Sequence, residues 1–318
     1  MERKFQVLTV GELNADLILN QIDGFPEIGK EKLAKELALT LGSSSAIFAS
    51  NLSSLGIKVS FVGKIGEDTF GNLVQASLNA KGVDTSHLIV DKTSVTGITV
   101  VLNYGEDRAM MTCPGAMEHL KVKDVADEAL QSARHMHFAS LFLQKGMRDD
   151  IIELFWRAKK CGLTTSLDTQ WDPSEKWDFN CKAILPFVDV FLPNEKELLL
   201  LTGTSAIEDA MAEIKPHANT VVVKNGSKGS TLYTKDGKEV HLDAFLNEQV
   251  VDAIGAGDSF NAGFISRMVQ GYPLEDCQVY GNLAGAINTT GAGGTSAFNS
   301  KESIISVARE IFNFEMNI

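Results

Sequence analysis

The run Asp252-Ala253-Ile254-Gly255-Ala256-Gly257-Asp258-Ser259-Phe260 joins small residues to a carboxylate. The stretch after it, NAGFISRMVQG, reads as a helix, with Phe260, Phe264 and Met268 recurring every fourth residue on one apolar face. Gly255, Ala256 and Gly257 therefore stand at a helix N-terminus. Small side chains there let a ligand approach the backbone closely, and the free N–H groups and the helix dipole favour an anion. Asp258 falls in the first helical turn. A carboxylate beside an anion hole suits the role of general base for a hydroxyl attacking a phosphoryl group. The same residues also make a plain tight turn in which Asp258 only complements the dipole.

Other polar residues have two readings each. Asn194 and Glu197 have the spacing of a capping box, with Asn194 as N-cap and Glu197 reaching back. Lys224 to Gly229 fits a turn between strands. Asp16 fits a turn or a solvent-facing carboxylate. Arg108 follows a turn at Gly105–Asp107 and is either a solvated charge or one that reaches over a closed site. Asp168 ends a predicted strand, where open α/β sheets place ligands. The six histidines form no metal-spaced cluster, and His135 and His137 alternate along a strand as structural residues do.

Several known phosphate and hydrolase motifs are absent. Gly29-Lys30, Gly63-Lys64 and Gly237-Lys238 are followed by Glu31, Ile65 and Glu239, so no Walker A loop exists. Gly291-Ala292-Gly293-Gly294 follows a predicted helix rather than a strand, which argues against a dinucleotide fingerprint. No HExxH or GxSxG occurs. The four cysteines, Cys113, Cys161, Cys181 and Cys277, lie far apart without a CxxC pair, so neither zinc site nor disulfide framework is indicated.

The elements that must position these residues follow from the hydrophobic pattern. Strands are predicted at 5–10, 58–63, 135–138, 164–168, 188–192 and 220–224. Helices are predicted at 43–55, from Asp68 or Thr69 to about Ala80, at 147–161, from Asn194 to Thr202, and at about 256–270, 275–289 and 301–313. Repeated β-α-β order predicts an α/β fold, a mostly parallel sheet with helices on both faces. Two regions break the rhythm. LNADLILN and KLAKELALTL within 12–40, and GITVVLN and RAMMTC within 97–113, read as a small antiparallel β lid added to that sheet. Residues 31–41 also suit an amphipathic helix, since Glu, Lys, Leu and Ala favour one. No linker or repeat divides the chain, so one domain over 1–318 is expected, with the lid formed by about 12–40 and 97–113.

Length and charge agree with this. A chain of 318 residues makes two ordinary domains or one large α/β domain. Apolar residues at 44% and charged residues at 22% exclude a disordered, collagen-like or coiled-coil chain. The net charge of −12 disfavours a broad nucleic-acid or anionic membrane surface. A small anion remains possible as a ligand, because backbone N–H groups bind phosphate without net positive charge. The N-terminus lacks a signal-peptide core, and no apolar run is long enough for a membrane span. A cytoplasmic protein is expected.

DxxGAGDSF resembles the C-terminal signature of the ribokinase-like (PfkB) carbohydrate kinases. Val10-Gly11-Glu12-Leu13-Asn14-Ala15-Asp16 resembles the family's opening strand and substrate-binding Asp. The Gly63–Gly71 stretch resembles its GxxGxDxxG, and Pro193-Asn194-Glu195-Lys196-Glu197 its NxxE. Lys224-Asn225-Gly226-Ser227-Lys228-Gly229 resembles its nucleotide-binding turn, and Asn282-Leu283-Ala284-Gly285-Ala286 the late helix beside the adenine. These segments keep the family's order from residue 10 to about 295.

The resemblance implies a ribokinase-like fold and an ATP-dependent kinase acting on a hydroxymethyl group of a sugar or related polyol. It implies Asp258 as catalytic base, with the Gly255, Ala256 and Gly257 amides stabilising the transferring γ-phosphoryl group. It places Asn14, Asp16, Gly42, Ser43, Ile47 and Arg108 on the acceptor side, and Asn194, Lys224, Gly226, Gly229 and Asn282 on the nucleotide side. It sets Mg²⁺ near Glu197 and a monovalent cation such as K⁺ near the backbone of Asp252 and Ile254. The exposed lid face suggests a homodimer. One departure stands out. The family's GGxxxN falls on Gly42-Ser43-Ser44-Ser45-Ala46-Ile47, so an isoleucine replaces the Asn that bonds sugar hydroxyls. Two other readings follow from it: a nucleoside kinase of the same fold, and a non-catalytic ligand-binding protein derived from it.

Overall fold

A computed structural model describes residues 3–104 and 107–318. Gly105 and Glu106, in the predicted turn before Arg108, lie outside the described residues. The strands in chain order are β1 (Val7–Val10), β2 (Asn14–Ile22), β3 (Ala34–Leu41), β4 (Val59–Val62), β5 (Lys64–Gly66), β6 (Ile89–Asp91) and β7 (Gly97–Tyr104). They continue as β8 (Asp107–Cys113), β9 (His135–Ala139), β10 (Thr164–Asp168), β11 (Val190–Phe191), β12 (Thr220–Lys224), β13 (Ser230–Thr234) and β14 (Glu239–Leu242).

The main sheet has eight strands in the order β14-β13-β12-β11-β10-β9-β1-β4. All pairings from β12 to β4 are parallel, and only the edge pairs β12–β13 and β13–β14 are antiparallel. The central strands β1 and β9 and the edge strand β4 are buried throughout, as parallel strands covered on both faces must be. Leu8, Val10, Met136, Phe138 and Leu167 point into one core. Val7, Val59, Phe61, Leu192 and Val222 point into the other.

Helices supply the covering layers. In Ile151–Lys160, Ile151, Leu154, Phe155 and Ala158 form a buried stripe at spacings of three and four residues, and they belong to the first core. Burying each large side chain of such a stripe contributes about 2 kcal/mol. The helix stops where Gly162 takes φ +75°. Helices Ser44–Ser54, Ala256–Val269 and Leu274–Asn288 cover the other face through Phe48, Phe264 and Leu283. The predicted helix from Asp68 or Thr69 spans Thr69–Ala80, and Asp68 caps it by accepting from the Gly71 N–H at 2.8 Å.

The smaller sheet has four strands in the order β3-β2-β7-β8. Both outer pairings are antiparallel, and the central β2–β7 pair is parallel, with Asp16 opposite Thr99. Residues 34–41 are therefore strand and not helix. The ladder to β2, from Leu41 opposite Ala15 to Ala34 opposite Ile22, overrides their helical propensity. Alternation gives this sheet two faces. Asp16, Thr99, Val101 and Met110 share one, and Leu17, Leu39, Val100 and Met111 share the other. Among the described residues no helix is long and apolar enough to cross a membrane.

Candidate active site

The carboxyl ends of the parallel strands open into a cleft of about 660 Å³ under the smaller sheet. Glu12 follows β1, Ser140 follows β9, Asp168 ends β10 and Lys224 ends β12. Such an edge is where open α/β sheets bind ligands. The start of the Ala256–Val269 helix closes the floor.

Gly255 caps that helix at φ +77°. A Cβ there would lie 2.7 Å from the Gly294 Cα and 3.1 Å from the Ile47 Cγ2, so this turn requires glycine. The Ala256 N–H turns back to the Ala253 carbonyl at 3.3 Å. Those of Gly255 and Gly257 have no backbone acceptor among the described residues. Asp258, one residue on, is buried. Its Oδ1 accepts from the Gln170 Nε2 at 2.8 Å. The same Gln170 nitrogen lies 3.0 Å from the Asp168 Oδ2. That oxygen also accepts from the Lys224 Nζ at 2.6 Å and the Asn261 Nδ2 at 2.5 Å. A Cβ on Gly257 would stand 3.6 Å from the Lys224 Nζ, so the ammonium borders the helix start.

This arrangement sets the charges. Burial, then Asp168, push Asp258 up to about 7, against an opposing pull from Lys224. Burial and Asp168 likewise push Glu197 up to about 7. Burial alone would lower the Lys224 ammonium, but Asp168 and Glu197 outweigh it and hold it above its ordinary value. A carboxylate that titrates near neutrality beside a fixed positive charge is suited to accept a proton.

The opposite wall comes from β2, β7 and the start of the Ser44–Ser54 helix. The Asn14 Nδ2 donates to the Asp16 Oδ1 at 2.7 Å and lies 3.1 Å from the Thr99 Oγ1. Burial raises Asp16 to about 6 despite the Asn14 bond. A Cβ at Gly42 would collide with the Asp16 carboxylate and lie 2.6 Å from the Asn14 Nδ2. Ser43 caps the helix at φ +71°, donating to the Glu12 carbonyl at 2.6 Å and accepting from the Ala46 N–H at 3.0 Å. Ile47 lines the cleft and packs between Gly255 and Gly294. Arg108 lines the cleft from β8 and is exposed.

The cleft thus unites Asn14, Asp16, Ser43, Ile47, Arg108, Asn194, Glu197, Lys224, Gly226, Ile254 and the Gly255–Asp258 turn, with Gly42 against the Asp16 carboxylate. Asn194 and Glu197 also form a capping box, with bonds of 2.8 and 3.0 Å. Gly229 and Asn282 line an adjoining apolar cavity of about 300 Å³ with Phe245, Leu246 and Val250. Asn282 is held on both sides of its amide, by the Ser230 hydroxyl and the carbonyls of Leu242 and Asp243. Asp252 stands outside the cleft, its two oxygens taken by the N–H groups of Ile254 and Gly293 at 2.9 Å each. Glu197 and Ile254 thus line the cleft, and Asp252 does not. Among the described residues no three acidic, histidine or cysteine side chains gather as metal ligands.

Sequence reasoning named neither Gln170 nor Glu12 as a site residue, and placed Asp168 only at a strand end where ligands bind. Glu12 is buried beneath the cleft, raised by that burial, and accepts from the Ser45 N–H at 3.1 Å and from its hydroxyl. The signal for Gln170 was weak, a polar pair after a strand end in Asp168-Thr169-Gln170.

Comparison with known proteins places this geometry. The family model described as pfkB family carbohydrate kinase matches residues 4–301. A 5-dehydro-2-deoxygluconokinase of Geobacillus thermodenitrificans is 26% identical over 303 residues, covering 90% of this chain and 88% of its own. An ATP-dependent ribose-1-phosphate kinase of Halopiger xanaduensis is 28% identical over 297 residues, covering 92% and 94%. The structure of Arabidopsis thaliana ribokinase complexed with ribose and ATP superposes with a TM-score of 0.81 at 27% identity, covering 95% and 98% of the two chains. A match of the family model over residues 4–301, nearly the whole chain, means that the chain belongs to the pfkB family of carbohydrate kinases.

Proposed function

We propose that this chain is an ATP-dependent kinase that phosphorylates a hydroxymethyl group of a sugar or related polyol, with Asp258 as general base. The observation that supports this best is the meeting, in one cleft, of the Asp258 carboxylate, the Gly255–Gly257 turn and Lys224, with Asp16 on the facing wall. Asp16 and Asn14 orient the acceptor. Its hydroxyl oxygen attacks the γ-phosphorus, the bond from that phosphorus to the bridging oxygen breaks, and the hydroxyl proton passes to Asp258. The amides of Gly255 and Gly257 and the Lys224 ammonium meet the charge that develops on the phosphoryl oxygens. The apolar cavity walled by Phe245 and Leu246 suits the adenine, beside Gly226 and Gly229.

Mg²⁺ keeps several waters and needs one or two carboxylates besides phosphates, so the buried Glu197 beside Asn194 fits a water-mediated hold. The ion supplies neutralisation of the phosphate charge. The chain acts as one kinase domain, with β2, β3, β7 and β8 as a lid that keeps water from the transfer. The apolar outer face of that lid pairs two copies as a homodimer.

Ile47 favours a second reading for the acceptor. An apolar side chain at the cleft wall suits a nucleobase as well as a sugar carbon, which keeps a nucleoside acceptor open. Acceptor-dependent ADP release with Mg-ATP and pools of sugars, sugar acids and nucleosides tests both. Turnover with one pool, lost at least ~10³-fold in Asp258→Asn, is expected from removal of the base. ATP binding without turnover in any pool would instead support a ligand-binding protein.

A further inference from the structure

The turn that carries Gly255 is where the family resemblance sets a monovalent cation, at the backbone of Asp252 and Ile254. Several polar atoms there are already engaged. The Asp252 carboxylate oxygens hold the N–H groups of Ile254 and Gly293. The Ile254 carbonyl accepts from the Asn288 Nδ2 at 2.6 Å. The orientation of that amide is fixed by its other end, because the Asn288 Oδ1 accepts from the Ser259 hydroxyl at 2.9 Å. That hydroxyl has one hydrogen and gives it to Asn288. It in turn accepts from the Asn51 Nδ2 at 2.9 Å. The Asn51 nitrogen also donates to the Gly294 carbonyl at 2.8 Å. Asn51, Ser259 and Asn288 are all buried. A single directed chain thus presents N–H groups to the carbonyls of Ile254 and Gly294, on the two loops that meet at Gly255.

A charged donor serves the loop that carries Gly294. The Lys81 ammonium donates to the carbonyls of Thr295 and Phe298, at 3.2 and 2.8 Å. An N–H directed at a carbonyl neutralises its partial charge as an ion would, and it repels a cation approaching the same oxygen.

We propose that the Asn51–Ser259–Asn288 chain replaces a monovalent cation beside the anion hole, so that this enzyme holds its Gly255 turn without an ion. Asn288 acts here as a positioning residue. The catalytic consequence rests on the kinase reading above, whereas binding of the ion does not.

The test compares KCl with tetramethylammonium chloride at constant ionic strength. For the unaltered protein, the melting temperature and the ADP-forming rate are expected to be the same in both salts, because a ligand that does not bind confers no stability. Asn288→Asp has the same shape but offers no donor and adds an anion. It is expected to lose at least ~10-fold in rate in tetramethylammonium and to regain part of it in K⁺, with a melting temperature that rises with K⁺ concentration. Asn288→Ala should lose rate without changing the ATP requirement for binding. Saturable stabilisation of the unaltered protein by K⁺, or a K⁺-dependent rate, overturns the proposal. If no acceptor turns over, the kinase reading fails, and the melting series on the unaltered protein still decides the ion question. The same series decides it if neither variant folds.

Discussion

Gln170 touches the Asp168 and Asp258 carboxylates and holds φ +58°, a conformation that costs a non-glycine residue of order 1 kcal/mol. Its amide donates to the Asp258 carboxylate, which favours the charged form of a group that burial raises to about 7. As the proposed base, Asp258 must be ionised to work, so the rate should climb with pH through about 7. Gln170→Ala removes a hydrogen bond worth about 1 kcal/mol, and the midpoint of that limb should move up by about half to one pH unit. A rate–pH profile of the two proteins checks this, and a purely structural role for Gln170 would lower the whole curve without moving it. Stability gives the opposite sign for Asp258. Its proton stays on in the folded protein and comes off in the unfolded chain between its ordinary value of 3.8 and about 7. Folding is therefore weakened as pH rises across that window. Asp258→Asn removes the effect. Its melting temperature should exceed that of the unaltered protein at pH 8 and match it near pH 4, and equal melting at both would contradict the buried, raised carboxylate.

At the scale of elements, the start of the Ala256–Val269 helix depends on a left-handed residue. Gly255→Ala adds strain of about 1–2 kcal/mol and a contact with the Gly294 Cα at 2.7 Å. The expected result is a fall in kcat of ~10² or more, with the acceptor KM little changed, since Asp16 lies on the other wall. Steady-state kinetics with the identified acceptor checks it, and a raised KM with intact kcat would place Gly255 in acceptor binding instead. This helix start was legible in the sequence because glycines, a carboxylate and a spaced apolar stripe are local signals. So were the capping box at Asn194 and the cap at Asp68. The helix Ile207–Ile214 was overlooked although Ile207, Ala210, Met211 and Ile214 repeat at helical spacing. What no local pattern contains is the union of β10 with the helix start. Gln170 meets Asp258 across 88 residues, and Asn261 meets Asp168 across 93. The β3 strand is the converse case. Its composition favours helix, and only pairing with β2 decides for strand. Ile47 was legible as a departure, but its packing between Gly255 and Gly294 required the two loops to be brought together.

At the scale of the whole molecule, the outer face of the smaller sheet is the surface that calls for a partner. One row across it reads Leu39, Leu17, Val100 and Met111, set by the registers of β3, β2, β7 and β8. Leu37 is 65% and Met111 78% exposed, and an apolar sheet face of this kind seldom meets only water. Two such faces in a two-fold dimer need to bury about 800 Å² on each copy to be stable. In that arrangement every side chain acts twice, so a charge placed on the face meets its own copy or apolar surface. Leu37→Glu with Met111→Glu should therefore convert the proposed dimer into a protein of 34.5 kDa in light scattering after size exclusion. The variant should keep its fold, because both positions are exposed in the single chain. Its rate should fall if pairing steadies the lid, since Thr99, Val101 and Met110 on the opposite face of the same strands line the cleft. A single-chain mass for the unaltered protein at micromolar concentration would rule out the proposed dimer and leave the apolar row facing solvent.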